Sequence, residues 1–224
     1  MYLCRRILIF SGKIRGCYEK RKLILCLSKL YFFLLVKLFF NLNFLQVMKT
    51  NTRFTATVRL LVGGILNVQM NAPSVTVSIV SEGQANQLLQ DSKRTNLNAG
   101  DILNGNGTME YQNATKQVSA TFRNLQLKKI KRTEKKGTTE SVMDEKFSVI
   151  FWTDFTIGDL GFQLWCLSLP VVVIVHGNQE HQALATVTWD NAFSEWGRRP
   201  FVVPEKVSWG RVRIGNQIII WEIS

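Results

Sequence analysis

Apolar and polar residues alternate along several short stretches of this chain, which is the spacing of β-strands with one buried face. In the run from Val75 to Ile79, three β-branched apolar side chains fall on one face and two hydroxyl side chains on the other. Many short runs of this kind, separated by turn residues, predict an all-β sandwich or barrel with antiparallel pairing. The other predicted strands are Phe54–Leu61, Val118–Phe122, Phe147–Trp152, Phe162–Leu167, Val171–His176 and Ala183–Trp189.

The strand Val171–His176 differs from the others because its first five residues are all apolar and leave it without a polar face. A continuous apolar run predicts a central strand that is covered on both sides. The polar segment His176–His181 follows, and we predict that it is an exposed loop. A polar loop mounted on a buried strand is a usual arrangement for binding, because the strand fixes its position.

Two further segments are predicted from local residue patterns. Ser81 and Gln84 have the spacing of a capping box, and good helix formers follow through Leu89, so a short helix is predicted there. The stretch Asn96–Gly107 is rich in Asn and Gly, which tolerate the backbone angles of turns, and is predicted to be a loop.

The positive charge of the chain is concentrated in two places. The formal net charge is +12, but nine of the 28 Lys and Arg residues, and only one acidic residue, precede Val47. The second concentration is the basic segment, Arg123–Lys136, which holds seven cations and one acidic residue. Such a segment attracts phosphates whatever the base sequence and predicts nucleic-acid binding. A solvated loop and a nuclear-import signal are alternative interpretations of the same residues.

The N-terminal segment, residues 1–46, is predicted to be apolar, helical and outside the native domain. Residues 23–45 have the length of a membrane span, but Lys29 and Lys37 would each cost about 2.5–3.5 kcal/mol near the bilayer centre. A signal peptide is disfavoured because no small-residue cleavage site follows the apolar run. Translated intron sequence is a further interpretation. Phe, Leu and Asn codons are rich in T and A, and the final Leu-Gln can be encoded by a pyrimidine tract that closes in CAG, which is the form of a 3′ splice acceptor. A membrane anchor and a disordered leader also stay open.

Catalysis and metal binding find little support in the sequence. It has no Gly-rich phosphate loop or nucleophile elbow and only two His residues, so we predict that the chain is not an enzyme. His176 and His181 lack the Cys or carboxylate partners of a metal site, and no metal or other cofactor is predicted. Cys166 lies between apolar residues and is predicted to be a buried, reduced thiol.

Seven segments resemble, in order and spacing, the DNA-binding domain of the STAT family, the signal transducers and activators of transcription. The resemblance runs from about Val47 to Trp209, and LSLPVVVIVHG is its most specific motif. It is closest to the prolactin- and interleukin-responsive branch of the family. The matching segments are VMKTNTRFTATVRLLVGGILNVQMN, SEGQANQLL, GDILNGNGTMEY, FRNLQLKKIKR, DEKFSVIF, LSLPVVVIVHGNQEHQALATVTWDNAF and PFVVPEKVSW.

The resemblance implies a p53-like, immunoglobulin-type β-barrel or sandwich with short helical insertions over residues 47–189. The start of a helical linker domain is implied over residues 190–209, and residues 210–224 match nothing in the family. The family's SH2 domain, through which it dimerises, also matches no part of this chain.

The resemblance further implies which residues contact DNA. In the family, contacts come from the loop after the VVVI strand, from the segment matching Val142–Glu145 and from a strand matching Asn67–Gln69. Gln69 stands where the family often has a Lys. Basic residues would neutralise phosphates or act in nuclear import, whereas Asn178 and Gln179 carry paired donors and acceptors that can read base edges. The site residues implied here are Gln69, Lys128, Lys129, Lys131, Arg132, Lys135, Lys136, Met143, Asp144, Glu145, His176, Gly177, Asn178 and Gln179.

The implied partner is double-stranded DNA with a palindrome of TTC and GAA half-sites, bound in cytokine or JAK–STAT-like signalling in the cytoplasm and nucleus. No small-molecule substrate is predicted. One rival interpretation is a membrane-anchored or secreted immunoglobulin-like interaction domain, suggested by residues 23–45 and by glycosylation sequons at Asn106 and Asn113. Another is a truncated fragment without a role of its own.

Overall fold

The computed structural model describes residues 11–15, 34–39, 46–60, 72–91, 97–113, 117–132, 145–157, 160–194, 201–210 and 212. Over these residues the chain forms one curled sheet of twelve strands, which confirms the predicted all-β class. The strands are β1 (Ser11–Arg15), β2 (Leu34–Phe39), β3 (Val47–Lys49), β4 (Arg53–Leu60), β5 (Ser74–Ser81), β6 (Gly100–Leu103), β7 (Asn106–Thr108), β8 (Glu110–Gln112), β9 (Gln117–Ile130), β10 (Lys146–Ile157), β11 (Leu160–Leu167) and β12 (Val171–Ile174).

Neighbouring strands follow the order β1, β11, β10, β5, β6, β9, β4, β2. Strand β12 lies between β10 and β3, while β7 pairs with β5 and β8 pairs with β9. Among the described strands, the pairing of β12 with β3 is parallel and every other pairing is antiparallel.

The predicted alternation is confirmed by the burial of the strands that form the main core. Along β4, Phe54, Ala56, Val58 and Leu60 are buried, and the residues between them are half-buried. These side chains pack with buried residues of β5, β9 and β10. The register of β4 against β9 shifts between Phe54 and Ala56, as at a β-bulge, which increases the local twist of a sheet.

The outer face of β10 carries a second apolar cluster. Ile150 and Trp152 pack there with Ala85 and Leu88 of helix α1 (Glu82–Asp91). The helix covers an apolar surface that would otherwise face solvent, and its burial favours folding. Strand β10 is therefore buried on both faces.

The capping box predicted for α1 is confirmed. The backbone N–H of Ser81 donates to the side-chain Oε1 of Gln84 at 3.1 Å, and the backbone N–H of Gln84 donates to Oγ of Ser81 at 3.4 Å. These reciprocal bonds satisfy backbone donors at the start of the helix.

Strand β12 is buried along its whole length, which confirms the prediction of a central strand. Helix α2 (Glu180–Phe193) covers one of its faces, where Ala183 and Val187 pack on Val172 and Ile174. The other face of the strand contributes to the main core. The strand therefore leads out of a part of the domain that is enclosed on both sides.

Gln46 fixes the start of β3 against β12. Its backbone carbonyl accepts the Val172 N–H at 2.7 Å, and its side-chain amide donates to the Pro170 carbonyl at 2.8 Å. Its side-chain oxygen accepts the amide N–H of Asn191 at 2.6 Å. Gln46 is therefore part of the packed unit.

Two predictions in the body of the chain are wrong. The predicted strand Ala183–Trp189 lies within α2, because burial of Ala183 and Val187 against β12 requires the helical spacing of four residues. The predicted loop Asn96–Gly107 contains β6 and β7, because pairing with β5 and β9 satisfies their backbone groups.

The predicted helical character of the N-terminal segment is also wrong where that segment is described. Ser11–Arg15 and Leu34–Phe39 are the strands β1 and β2, which pair with β11 and β4 respectively. They occupy the two ends of the strand order, where unpaired backbone groups would otherwise be exposed. Among the described residues, no helix is long and apolar enough to cross a membrane.

Cys166 lies in β11 and is only 1% exposed, which confirms the predicted burial of this residue. Burial raises the pKa of its thiol well above the ordinary value. Because the thiolate is the reactive form, the burial and the raised pKa of Cys166 both disfavour its reaction while the domain is folded.

Candidate nucleic-acid interface

The described part of the basic segment is anchored by apolar side chains of β9. Leu125 and Leu127 are fully buried, and Ile130 packs against the main core. Strand β6 pairs with this end of β9. Side-chain packing and backbone pairing together hold the end of the strand in a fixed position.

Three lysines lie at this fixed end. Lys128 and Lys129 are exposed residues of β9. Lys131, just beyond the strand, is also exposed, and its backbone N–H donates to the Ala99 carbonyl at 2.6 Å. Because a lysine is a long, flexible cation, this group suits contacts with phosphates better than the reading of bases.

Arg132 follows the lysines but is bound within the protein. Its Nη2 donates to the carbonyl oxygen of Val173 at 2.6 Å, and its Nη1 donates to Oε2 of Glu145 at 3.1 Å. Glu145 directly precedes β10, and Val173 lies near the end of β12. Arg132 therefore joins the ends of three strands at one end of the sheet.

The segment after β12 is a short turn that Gln179 holds together. Gly177–Gln179 form one turn of 3-10 helix, and Oε1 of Gln179 accepts the backbone N–H groups of Val175 at 2.9 Å and His176 at 3.1 Å. His176, Gly177 and Asn178 are exposed. The predicted loop is therefore shorter than expected, because helix α2 begins at Glu180.

Gly177 is a residue that the fold itself does not require. A Cβ atom added there would meet no other atom within 4 Å. A glycine without a packing reason, in an exposed turn, suits a surface that another molecule approaches closely.

The predicted site residues that the structure describes lie at the same end of the sheet. Arg132 bonds to Glu145 and to the strand that leads into the turn at residues 176–179. Its chain neighbour Lys131 belongs to the group of three exposed lysines. The remaining predicted site residues lie outside the described residues, and they are Asn67, Val68, Gln69, Lys135, Lys136, Val142, Met143 and Asp144.

Sequence reasoning missed an ion pair beside this site. Nζ of Lys146, the first residue of β10, lies 2.6 Å from Oδ2 of Asp190 on α2. Burial raises the pKa of Asp190 and outweighs the opposing hydrogen bond and charge of Lys146. The only signal in the sequence is an acidic residue at the helical spacing of the buried Ala183 and Val187.

The charged groups of this region do not form a metal site in the part of the chain that is described. No three side chains of His, Cys, Asp or Glu lie close enough together there to hold a metal ion. His176 and His181 are both exposed. The chemistry available at the site is hydrogen bonding and charge attraction.

The fold and the site define a domain of the immunoglobulin-like, all-β class with lysines and a polar turn at one end. The family model described as the STAT protein DNA-binding domain matches residues 45–174. The Signal transducer and transcription activator of Drosophila melanogaster is 51% identical to this chain over 179 residues, covering 77% of the chain and 23% of that protein. The chain belongs to the STAT family, which confirms the resemblance seen in its motifs. It spans about a quarter of the length of this relative.

Proposed function

We propose that this chain is the sequence-specific DNA-binding module of a STAT-type transcription factor. The observation that carries the proposal is that two groups of exposed residues with different chemistry lie at the same end of the sheet. Lys128, Lys129 and Lys131 supply attraction to the phosphate backbone. The exposed Asn178 supplies a paired donor and acceptor that reads a base edge.

The DNA target in this proposal is a palindrome of TTC and GAA half-sites. A palindrome is bound by two copies, because the second half-site is then presented at a high effective concentration. The two copies are held together by an SH2 domain of the longer protein. The protein acts in cytokine or JAK–STAT-like signalling and moves between the cytoplasm and the nucleus, with the basic segment as its import signal.

The proposal is tested by titrating the full chain against a labelled TTC/GAA duplex and a scrambled duplex at several salt concentrations. We expect tighter binding to the palindrome and a fall in both affinities as salt rises. Asn178→Ala should reduce the preference for the palindrome by roughly tenfold, since one good base contact contributes about 1–3 kcal/mol of discrimination.

Asn113→Ala is the matched control for this variant. Asn113 is exposed and follows β8 beside Gln117, the first residue of β9. Lys128, the nearest of the three lysines along this strand, lies about 35 Å further on in an extended strand. The control should bind both duplexes as the unaltered chain does. Equal binding to both duplexes by the unaltered chain, abolished by moderate salt, would contradict sequence-specific recognition and leave phosphate attraction alone.

A further inference from the structure

We propose that Arg132 is a positioning residue that holds the turn at residues 176–179 in place relative to the three lysines, and that it does not itself bind phosphate. This inference rests on the proposed function, because it concerns how the two DNA-facing surfaces are arranged. It separates Arg132 from Lys128, Lys129 and Lys131, which the sequence alone treats as one basic group.

The geometry of the guanidinium group is the first step. Both terminal nitrogens of Arg132 are used, one on the Val173 carbonyl at 2.6 Å and one on the Glu145 carboxylate at 3.1 Å. The side chains of Arg132 and Glu145 are only 24% and 20% exposed. Hydrogen bonds in which one or both groups are charged are stronger than neutral ones, and partial burial protects them from solvent screening.

The register of the strands explains why these two acceptors lie together. Strands β10 and β12 pair Phe147 with Val171 and Lys146 with Val172, which are the last paired positions. One residue further in the same register, Glu145 comes opposite Val173. Arg132 binds at this position, where the backbone ladder stops, and so closes the end of the β10–β12 pair.

The second step is the position of Arg132 and Val173 in the chain relative to the two DNA-facing surfaces. Val173 lies three residues before His176, the first residue of the turn, and Arg132 directly follows Lys131. A change in the Arg132 contacts is therefore transmitted to both surfaces through very short stretches of backbone. A residue with this placement sets the distance between the phosphate contacts and the base contact.

The third step is electrostatic. A carboxylate at a DNA-facing end of the domain repels phosphates unless a cation balances it. Arg132 supplies that cation to Glu145 at 3.1 Å. Moving Arg132 outward to a phosphate would remove its donors from the buried Val173 and from the partly buried Glu145 side chain, which is unfavourable.

Arg132→Gln and Lys131→Gln are a matched pair for the test, since each removes one positive charge from adjacent positions. The full chain and both variants are titrated with the TTC/GAA duplex and the scrambled duplex over a range of salt concentrations. Two quantities are measured: the ratio of the two affinities and the slope of log affinity against log salt. The ratio does not depend on the folded fraction, so a merely destabilised variant leaves it unchanged.

We expect Lys131→Gln to make the salt slope less steep by about 0.9, the value for one phosphate contact, and to leave the ratio of the two affinities unchanged. We expect Arg132→Gln to lower the ratio by about tenfold, and its slope is not decisive because the Glu145 carboxylate is then unbalanced. An unchanged ratio in Arg132→Gln would overturn the inference, because Arg132 would then not position the turn.

Two further variants keep the test decisive if Arg132→Gln folds poorly. Arg132→Lys keeps the charge but cannot bind both acceptors with one planar group, so its ratio should fall. Glu145→Gln removes the carboxylate partner and should also lower the ratio. Unaltered ratios in both variants would overturn the positioning role. Failure of the unaltered chain to prefer the palindrome would instead overturn the proposed function, so the two failures are distinguishable.

Discussion

At the scale of single residues, Gly100 lies where β6 passes close to the backbone of β9. A Cβ atom at this position would collide with the carbonyl oxygen of Lys129 and lie 3.1 Å from Cγ2 of Ile79. We expect Gly100→Ala to lower the free energy of unfolding by about 1–3 kcal/mol, because the backbone of β9 must move to accommodate the methyl group. Urea unfolding of the purified chain measures the change.

Gly83→Ala is the control for this substitution. Gly83 lies in helix α1, and an added Cβ atom would meet nothing within 4 Å. Replacing glycine in a helix is expected to raise stability by up to about 1 kcal/mol. Equal stability of Gly100→Ala and the unaltered chain would show that the two strands are not held at this distance.

Cys166 provides a second prediction at the residue scale. Its thiol is 1% exposed, and burial raises its pKa, so alkylation requires opening of the core. Iodoacetamide labelling of the Cys166 peptide, followed by mass spectrometry, should be slower by roughly 100-fold or more in the folded chain than in denaturant. Equal rates in the two conditions would contradict a closed core around β11.

At the scale of elements, helix α2 shows what local sequence patterns fail to predict. The continuous apolar run Val171–Val175 correctly predicts a strand covered on both faces, but it does not identify the covering element. That element contains Thr186, Val187, Thr188 and Trp189, which favour strands, so local preference predicts a strand. Packing against β12 overrides the preference and selects the helix.

The predictions that succeeded depend on contacts between near neighbours in the chain. The capping box of Ser81 and Gln84 and the alternation along β4 and β5 are of this kind. The hydrogen bond from Arg132 to the Val173 carbonyl joins residues that are 41 positions apart in sequence, so no local pattern reveals it. In the candidate site, the residue types were predictable, but the hydrogen bonds that hold Arg132 within the protein were not.

The ion pair between Lys146 and Asp190 gives a prediction for the link between β10 and α2. Burial holds the pKa of Asp190 above its ordinary value of 3.8. Between the unfolded and folded pKa values, the folded protein binds more protons, so the contribution of Asp190 to stability increases as the pH falls through this window. The substitution Asp190→Asn replaces the carboxyl group by an amide, which does not titrate in this range.

Urea unfolding of the unaltered chain and of Asp190→Asn at a series of pH values tests this sign. The stability of the unaltered chain relative to the variant should rise as the pH is lowered from neutral towards 3.8 and then level off. A relative stability that decreases as the pH is lowered would mean that the charge of Lys146 has a larger effect on the pKa of Asp190 than burial has.

At the scale of the whole molecule, the all-β class and most strands of the body follow from patterns of apolar residues. The order of the strands does not, because register and neighbours are set by pairing between distant segments. The parallel pairing of β12 with β3 is the clearest case, since it joins Val172 to Val47 in an otherwise antiparallel sheet. No turn connects these strands directly, so no turn residue signals their pairing.

The contacts of Gln46 across this same pairing have a kinetic consequence. Gln46 and Pro170 are separated by 124 residues, and closing a loop of that length costs roughly 4 kcal/mol in chain entropy. Pairing between distant segments slows folding, so closure of the sheet by β3 is expected late, after the antiparallel hairpins have formed. During synthesis, β3 leaves the ribosome long before its partner exists. Strand β3 therefore stays without this partner until β12, the last strand of the sheet, has been synthesised.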